Sequence, residues 1–415
     1  MDRLFRTVLS FKEIKVKNDD DWCDKLSRTY TCSLLITFAF VVSTRQFVGE
    51  PIACWCPAHF TESHRTYTNT ICWISNTYYV PFDRRIPDSH DLRRHQPMVS
   101  YYQWVPLVLL IQASLAFSPC LIWRFLNTRS GIDIAGLMDA ARVTKRASYN
   151  ELREKTIRYL VNQIDRYLLT QRDFRKGCCI RLKQILARHC FVVGGRRHGN
   201  YLCVVYLITK LLYAANAVGQ LFVLDMFLGI EYHVYGLYVM ARMLRGEDWS
   251  TSDRFPRVTL CNFEIRHQSR VHDYVVQCTL TVNLFNEKIF LLLWFWYVFV
   301  ASVTIYNLVA WFARCLYWPA QVHYVKKKLR ALDASHRTKE SISKFTQYYL
   351  RRDGIFLIRM LSMNISEMVA AETLVGLWEN YGPERRMLSE NPARSRRANV
   401  ASTPKAGTSG SMEVV

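Results

Sequence analysis

Residues 100–126 read SYYQWVPLVLLIQASLAFSPCLIWRFL. No formal charge occurs from Gln96 to Trp123. Wound as a helix, that run would reach about 42 Å, more than the roughly 30 Å hydrocarbon core of a bilayer. The segment is therefore read as a membrane span over 101–125. Tyr101, Tyr102 and Trp104 combine an apolar body with a polar tip, the chemistry that settles at headgroup level, so the span enters the bilayer beside them. Pro106 then falls in the first turns and Pro119 well inside.

Three further stretches share this character. Ile289 to Ala313 is free of charge, and Leu26 to Val48 is broken only by Arg28 and Arg45 near its ends. Tyr201 to Ile230 is interrupted by Lys210 and Asp225, and charges at membrane depth are costly enough that these must face protein, water or an interface. They lie fifteen residues apart, about 22 Å along a helix, so each needs its own partner. The spans are placed at 26–48, 101–125, 201–228 and 289–313. No cleaved signal peptide is expected, because residues 1–25 hold no uninterrupted apolar stretch.

The net charge of +21 invites a nucleic-acid reading, but its distribution argues against one. Residues 126–200 hold 16 basic against 6 acidic side chains and residues 313–415 hold 17 against 9, whereas 49–100 and 229–285 are each balanced. Positive-inside bias puts both termini and the middle block in the cytoplasm and the two neutral loops, 49–100 and 229–285, outside. The excess charge is topological, and no nucleic-acid partner is expected.

The thirteen cysteines fall in informative places. The first outer loop carries Cys54, Cys56 and Cys72, and the second carries Cys261 and Cys278; loops that must hold a shape in an oxidising space commonly use disulfides. Cys54, Cys56, His59 and His64 could offer metal ligands, but their spacing fits no zinc pattern, and no metal or cofactor is expected. Cys178 and Cys179 adjoin a basic helix and are read as buried or idle thiols rather than lipidation sites.

Several motifs now carry a resemblance. YYQWVP, the first-loop run GEPIACWCPAHF followed by ICWISNTYYVPF, and the second-loop run FPRVTLCNFEIR followed by VVQCTLTVNLFNEKIFLLLWFW together resemble the innexins, the gap-junction proteins of invertebrates, nematode members above all. The resemblance covers about residues 20–380. It implies an all-α polytopic membrane protein: four transmembrane helices, a cytoplasmic helical domain and two disulfide-linked extracellular loops. It further implies assembly, as a homo- or hetero-oligomer with other innexins, into an octameric hemichannel in the plasma membrane that docks with the hemichannel of a neighbouring cell.

In that family each outer loop supplies two cysteines, matching Cys54, Cys72, Cys261 and Cys278 here. Cys56 stands where the family pattern usually has another residue. Of the three connectivities, the one expected joins Cys54 to Cys278 and Cys72 to Cys261; the others stay open. In innexin-like channels the N-terminal segment folds into the pore entrance, which would put Asp2, Arg3 and Arg6 near permeating ions. Arg45, at the outer end of the first span, is a further pore-lining candidate, since a watery vestibule suits it better than lipid; snorkelling to headgroups is the competing reading.

Pro106 and Pro119 are candidate bends, because proline removes a helical hydrogen bond and clashes one turn back; Ser114 and Ser118 lie near enough to satisfy a freed carbonyl. In the middle block, 126–200, Ile157, Val161, Ile164 and Leu168 mark an amphipathic helix over Tyr149 to Arg175, followed by a second over Ile180 to Phe191. After the fourth span, VKKKLR (325–330) is a lipid-facing basic cluster. Within 314–382, helices are expected over Ser341 to Leu350 and Ile355 to Tyr381, separated by Asp353-Gly354. Residues 383–415 have lost large apolar side chains and read as a disordered tail.

There is no Walker loop, GxSxG elbow, HExxH or paired CxxC, so the chain is not read as an enzyme. The function expected is that of a channel subunit passing ions and small metabolites between adjacent cells. The alternatives are an undocked hemichannel releasing metabolites and a non-conducting adhesive junction protein. Neither outer loop holds an Asn-x-Ser/Thr sequon whose glycan would hinder docking; the sole triplet is Asn364-Ile365-Ser366. Histidines titrate near 6.5, and His189 and His198, with His323 and His336 in the same cytoplasmic regions, are candidate pH-gating groups.

Overall fold

In the computed structural model of the chain, residues 21–81, 98–146, 150–171, 199–229, 231–246, 255–267, 270–332 and 339–382 are described. The charge-poor stretches become four helices long and apolar enough to cross a membrane: α1 (Trp22–Phe47), α3 (Val105–Thr128), α6 (Tyr201–Leu228) and α8 (Thr281–Leu316). Between and after them stand α2 (Glu62–Ile74), α4 (Ile134–Arg146), α5 (Asn150–Thr170), α7 (Tyr235–Leu244), α9 (Trp318–Arg330), α10 (Lys339–Lys344), α11 (Arg351–Asn364) and α12 (Glu367–Asn380). Two of the helices contain a wider turn. Leu26–Thr31 within α1 is π-helical, and a π turn over Phe345–Leu350 extends α10 as far as Arg351, where α11 begins.

The loops also build an antiparallel sheet, in the order β1-β5-β4-β2-β3, from β1 (Ala53–Trp55), β2 (Thr77–Tyr78), β3 (Met98–Val99), β4 (Val258–His267) and β5 (Arg270–Thr279). Its backbone is the β4–β5 hairpin, paired from Val258 opposite Thr279 to His267 opposite Arg270. Thr259, Cys261 and Phe263 are buried at every second position, the two-residue period of a half-buried strand. TLCNF (259–263) carries that alternation in the sequence itself.

The chain divides into two compact units. One comprises 22–122 and 209–309 and holds the sheet; the other comprises the described parts of 123–208 and 310–415, with Asp21. In the sheet-bearing unit, Tyr102, Tyr232, Tyr235, Phe255, Phe290 and Trp294 form an aromatic core. Gly236 opens the close contact there: a Cβ on it would lie 2.0 Å from Cε3 of Trp294, whose indole donates to the His233 carbonyl at 3.0 Å. The other unit packs Trp123, Tyr206, Trp311 and Phe356 ring against ring. The apolar faces of α4 (Ile134, Leu137, Met138) and α5 (Leu160, Ile164, Leu168) join the same core.

Several expectations shift. The amphipathic helix runs over Asn150–Thr170, and α4 was not anticipated although Ile134, Leu137, Met138 and Ala141 carry a helical period. The break expected at Asp353-Gly354 stands two residues earlier, at Arg351 with φ +53°, and α11 runs through Asp353 and Gly354, which are buried. The helix expected over Ile355 to Tyr381 is divided by a turn at Ile365-Ser366, where the Ser366 hydroxyl caps α12 by accepting the Met368 N–H at 3.3 Å. The helix over Ile180 to Phe191 and the tail from Pro383 lie outside the described residues, as do Asp2, Arg3, Arg6, Cys178, Cys179, His189, His198 and His336.

Candidate functional site: the tied loops and the charged span positions

Bridges join Cys54 to Cys278 and Cys72 to Cys261, across 224 and 189 residues of chain. The elements bring the sulfurs together: Cys54 in β1 stands opposite Cys278 in β5, Cys261 lies in β4, and Cys72 sits on the buried face of α2. The Sγ atoms of Cys54, Cys72 and Cys278 lie within 4.8 Å of one another, so the bridges stack in one core. Such loops restrict the unfolded chain strongly; the first bridge formed would contribute about 5 kcal/mol in the chain-entropy account. The second then closes a ring of roughly 35 residues and adds about 4 kcal/mol.

The first loop is pinned in other ways. Thr61 and His64 form a reciprocal cap at the start of α2, with the Thr61 hydroxyl 2.9 Å from the His64 Nδ1. His64 is thus a capping group, and Cys54 of the same conjectured metal set is consumed in a bridge. Cys56 carries a free, half-buried thiol whose Sγ lies 3.7 Å from the Cys54 carbonyl oxygen. The Asn69 side chain accepts the Cys54 N–H at 3.0 Å, and Thr281 donates to the Glu50 carbonyl at 2.9 Å, tying the second loop's end to the first loop's start.

Both charges in the third span find separate partners. Lys210 is fully buried and donates to both oxygens of Asp24 at 2.8 Å. Asp225 accepts the His233 backbone N–H at 2.8 Å and faces its Nδ1 at 2.7 Å. In the first span, Arg28 reaches the Cys120 sulfur at 3.6 Å. The π turn beside it is braced by Thr31, which donates to the Leu26 carbonyl and accepts from the Trp296 indole, both at 3.0 Å.

Arg45 is exposed, with its guanidinium 4.6 Å above the Phe285 ring. Pro106 is the second residue of α3, where the missing N–H would have had no helical acceptor. Pro119 is interior. The carbonyl it leaves open is that of Leu115, and the Ser118 hydroxyl donates to it at 2.9 Å. The basic cluster 325–330 lies on α9. Its Lys328 is buried and turns to Glu367 and Ser362 rather than outwards. Hydrogen bonds from Lys328 and from the Ser362 hydroxyl, which donates to Oε1 at 3.0 Å, hold the Glu367 carboxyl below the usual carboxylate range.

The arrangement ties two loops into one sheet carried by four apolar helices. The Innexin family model matches residues 20–381. The chain is 36% identical over 379 residues to Innexin unc-9 of Caenorhabditis elegans, covering 91% of this chain and 96% of that protein. It is 32% identical to Innexin-19 of Caenorhabditis briggsae (89% of this chain, 88% of the relative) and 33% identical to Innexin-11 of Caenorhabditis elegans (89% and 80%). The chain belongs to the innexins, the family whose members form the subunits of gap-junction channels.

Proposed function

We propose that eight copies of this chain, alone or with other innexins, close into a ring, and that two rings from apposed plasma membranes meet through the tied loops. Ions and small metabolites then pass from cell to cell along the shared axis. The observation that carries this reading is the pair of stacked bridges, which turns two loops nearly 200 residues apart in sequence into one rigid face. A face meant to meet its counterpart in another membrane must keep its shape without a partner, and cross-linking supplies that. The charge balance supports the same orientation: the loops are neutral and the remaining connecting blocks basic, so both termini lie in the cytoplasm.

Arg45 would line the outer vestibule, its stem laid on Phe285. Asp2, Arg3 and Arg6 would stand at the pore entrance, and Pro119 would offer the point at which α3 can bend. Particle imaging of the detergent-solubilised protein tests the assembly. Eightfold rings, a fraction of them stacked in pairs through their loop faces, are expected. Single rings that never stack would favour an undocked hemichannel, and the absence of rings would remove the channel reading.

A further inference from the structure

Three segments meet at one buried carboxylate. The π turn Phe345–Leu350 leads into Arg351, which holds φ +53°, a left-handed value in a non-glycine residue and one that persists only where the surroundings fix it. Gly199 at φ +70° lies against it, and a Cβ there would meet the Arg351 Cδ at 2.6 Å. Two residues on, Asp353 is fully buried. Its Oδ1 accepts the Cys203 N–H at 3.1 Å, its Oδ2 accepts the Tyr167 hydroxyl at 3.3 Å, and its own N–H donates to the Gly199 carbonyl at 3.0 Å. The N–H groups of Leu202 and Tyr201 also act on the carboxylate. These amides open α6, and a helix's first-turn amides have no partner within the helix. Here a side chain from a distant segment serves them, placing its charge where a helix N-terminus favours it.

We propose that Asp353 is the joint by which the C-terminal helices hold the cytoplasmic end of the third span, and that acidification tightens this joint by placing a proton on its carboxylate. The titratable and charged groups around it are Tyr167 from α5, Tyr201 and Cys203 from α6, Cys315 from α8, and Arg351, Arg352 and Arg359 on its own helix. Burial pushes the Asp353 carboxyl up to about 6, against the opposing pull of its hydrogen bonds, from the 3.8 of a free side chain.

The fold therefore binds this proton more tightly than the unfolded chain does. The group's contribution to stability is greatest below 3.8 and falls as pH rises through about 6. Acidification from neutral pH does not unfold the chain through Asp353. It relieves a buried charge whose desolvation outweighs its hydrogen bonds, and turns one oxygen into a donor, which the Tyr167 hydroxyl accommodates by reversing.

Hydrogen exchange on the purified full-length protein tests this without relying on conduction, so its failure is separable from failure of the channel reading. After correction for intrinsic rates, protection of the amides of Tyr201, Leu202 and Cys203 should rise several-fold as pH drops through about 6. Asp353→Asn, an uncharged isostere, should show the higher protection throughout, with no step and no loss of thermal stability at pH 7.5. Tyr167→Phe deletes a bond that favours the ionised form and should move the step to higher pH. Flat wild-type protection, or a step unchanged in Asp353→Asn, would overturn the proposal. Should Asp353→Asn fail to assemble, an unmoved midpoint in Tyr167→Phe would do so.

Discussion

Lys210 sits fully buried in a helix that has to cross lipid, and Asp24 receives it with both carboxylate oxygens. A buried pair of this kind adds little net stability, yet removing one partner leaves a charge that nothing compensates. Lys210→Met should therefore lower stability by about 3–5 kcal/mol, and adding Asp24→Asn should recover most of the loss. Thermal unfolding of the two variants in detergent checks it; equal losses in the single and double variants would show that the pair is not coupled. The need for a partner was legible from Lys210 alone. Its identity was not, because Asp24 lies 186 residues away in a stretch that local pattern assigned to the polar N-terminus. Arg45 poses a related question at the first span's outer end. As a vestibule residue, Arg45→Glu should raise cation preference in hemichannel recordings, whereas unchanged reversal potentials in an ion gradient would place it outside the ion path.

Elements show where sequence pattern carries information and where it stops. The four spans were readable from uncharged length, since lipid imposes a simple demand on every residue it touches. The sheet was harder to see. β1, β2 and β3 are two or three residues long, and strands so short have no period; they exist because the bridges and the β4–β5 hairpin hold them in register. The turn signal at Asp353-Gly354 marks a break that falls two residues earlier, at Arg351, because burial draws both residues into α11. Close packing between elements is likewise invisible locally. Gly236 of α7 touches the face of Trp294 in α8, and a methyl group there would overlap the indole. Gly236→Ala should cost about 1–3 kcal/mol through overpacking, and Gly236→Ala combined with Trp294→Leu should regain part of it. A Gly236→Ala protein as heat-stable as the wild type would show that the two elements are not in contact.

For the whole molecule, family membership follows from motifs spread in order along the chain, while the connection between parts rests on a few long-range links: two bridges in the loops, and in the other unit the junction at Asp353. The bridges are the more exposed to test, because they predict opposite outcomes for neighbouring cysteines. Cys72 closes a bridge in the core, and losing it should cost several kcal/mol and free Cys261 for wrong pairing. Cys56 makes no bridge, so its thiol is dispensable to the loop face. The most direct measurement is junctional conductance between paired cells expressing this chain, with surface abundance measured in parallel. The wild type and Cys56→Ser should couple the cells to similar extents, and Cys72→Ser should abolish coupling at comparable surface abundance. Cells that adhere firmly without current in the wild type, or full coupling in Cys72→Ser, would contradict the account.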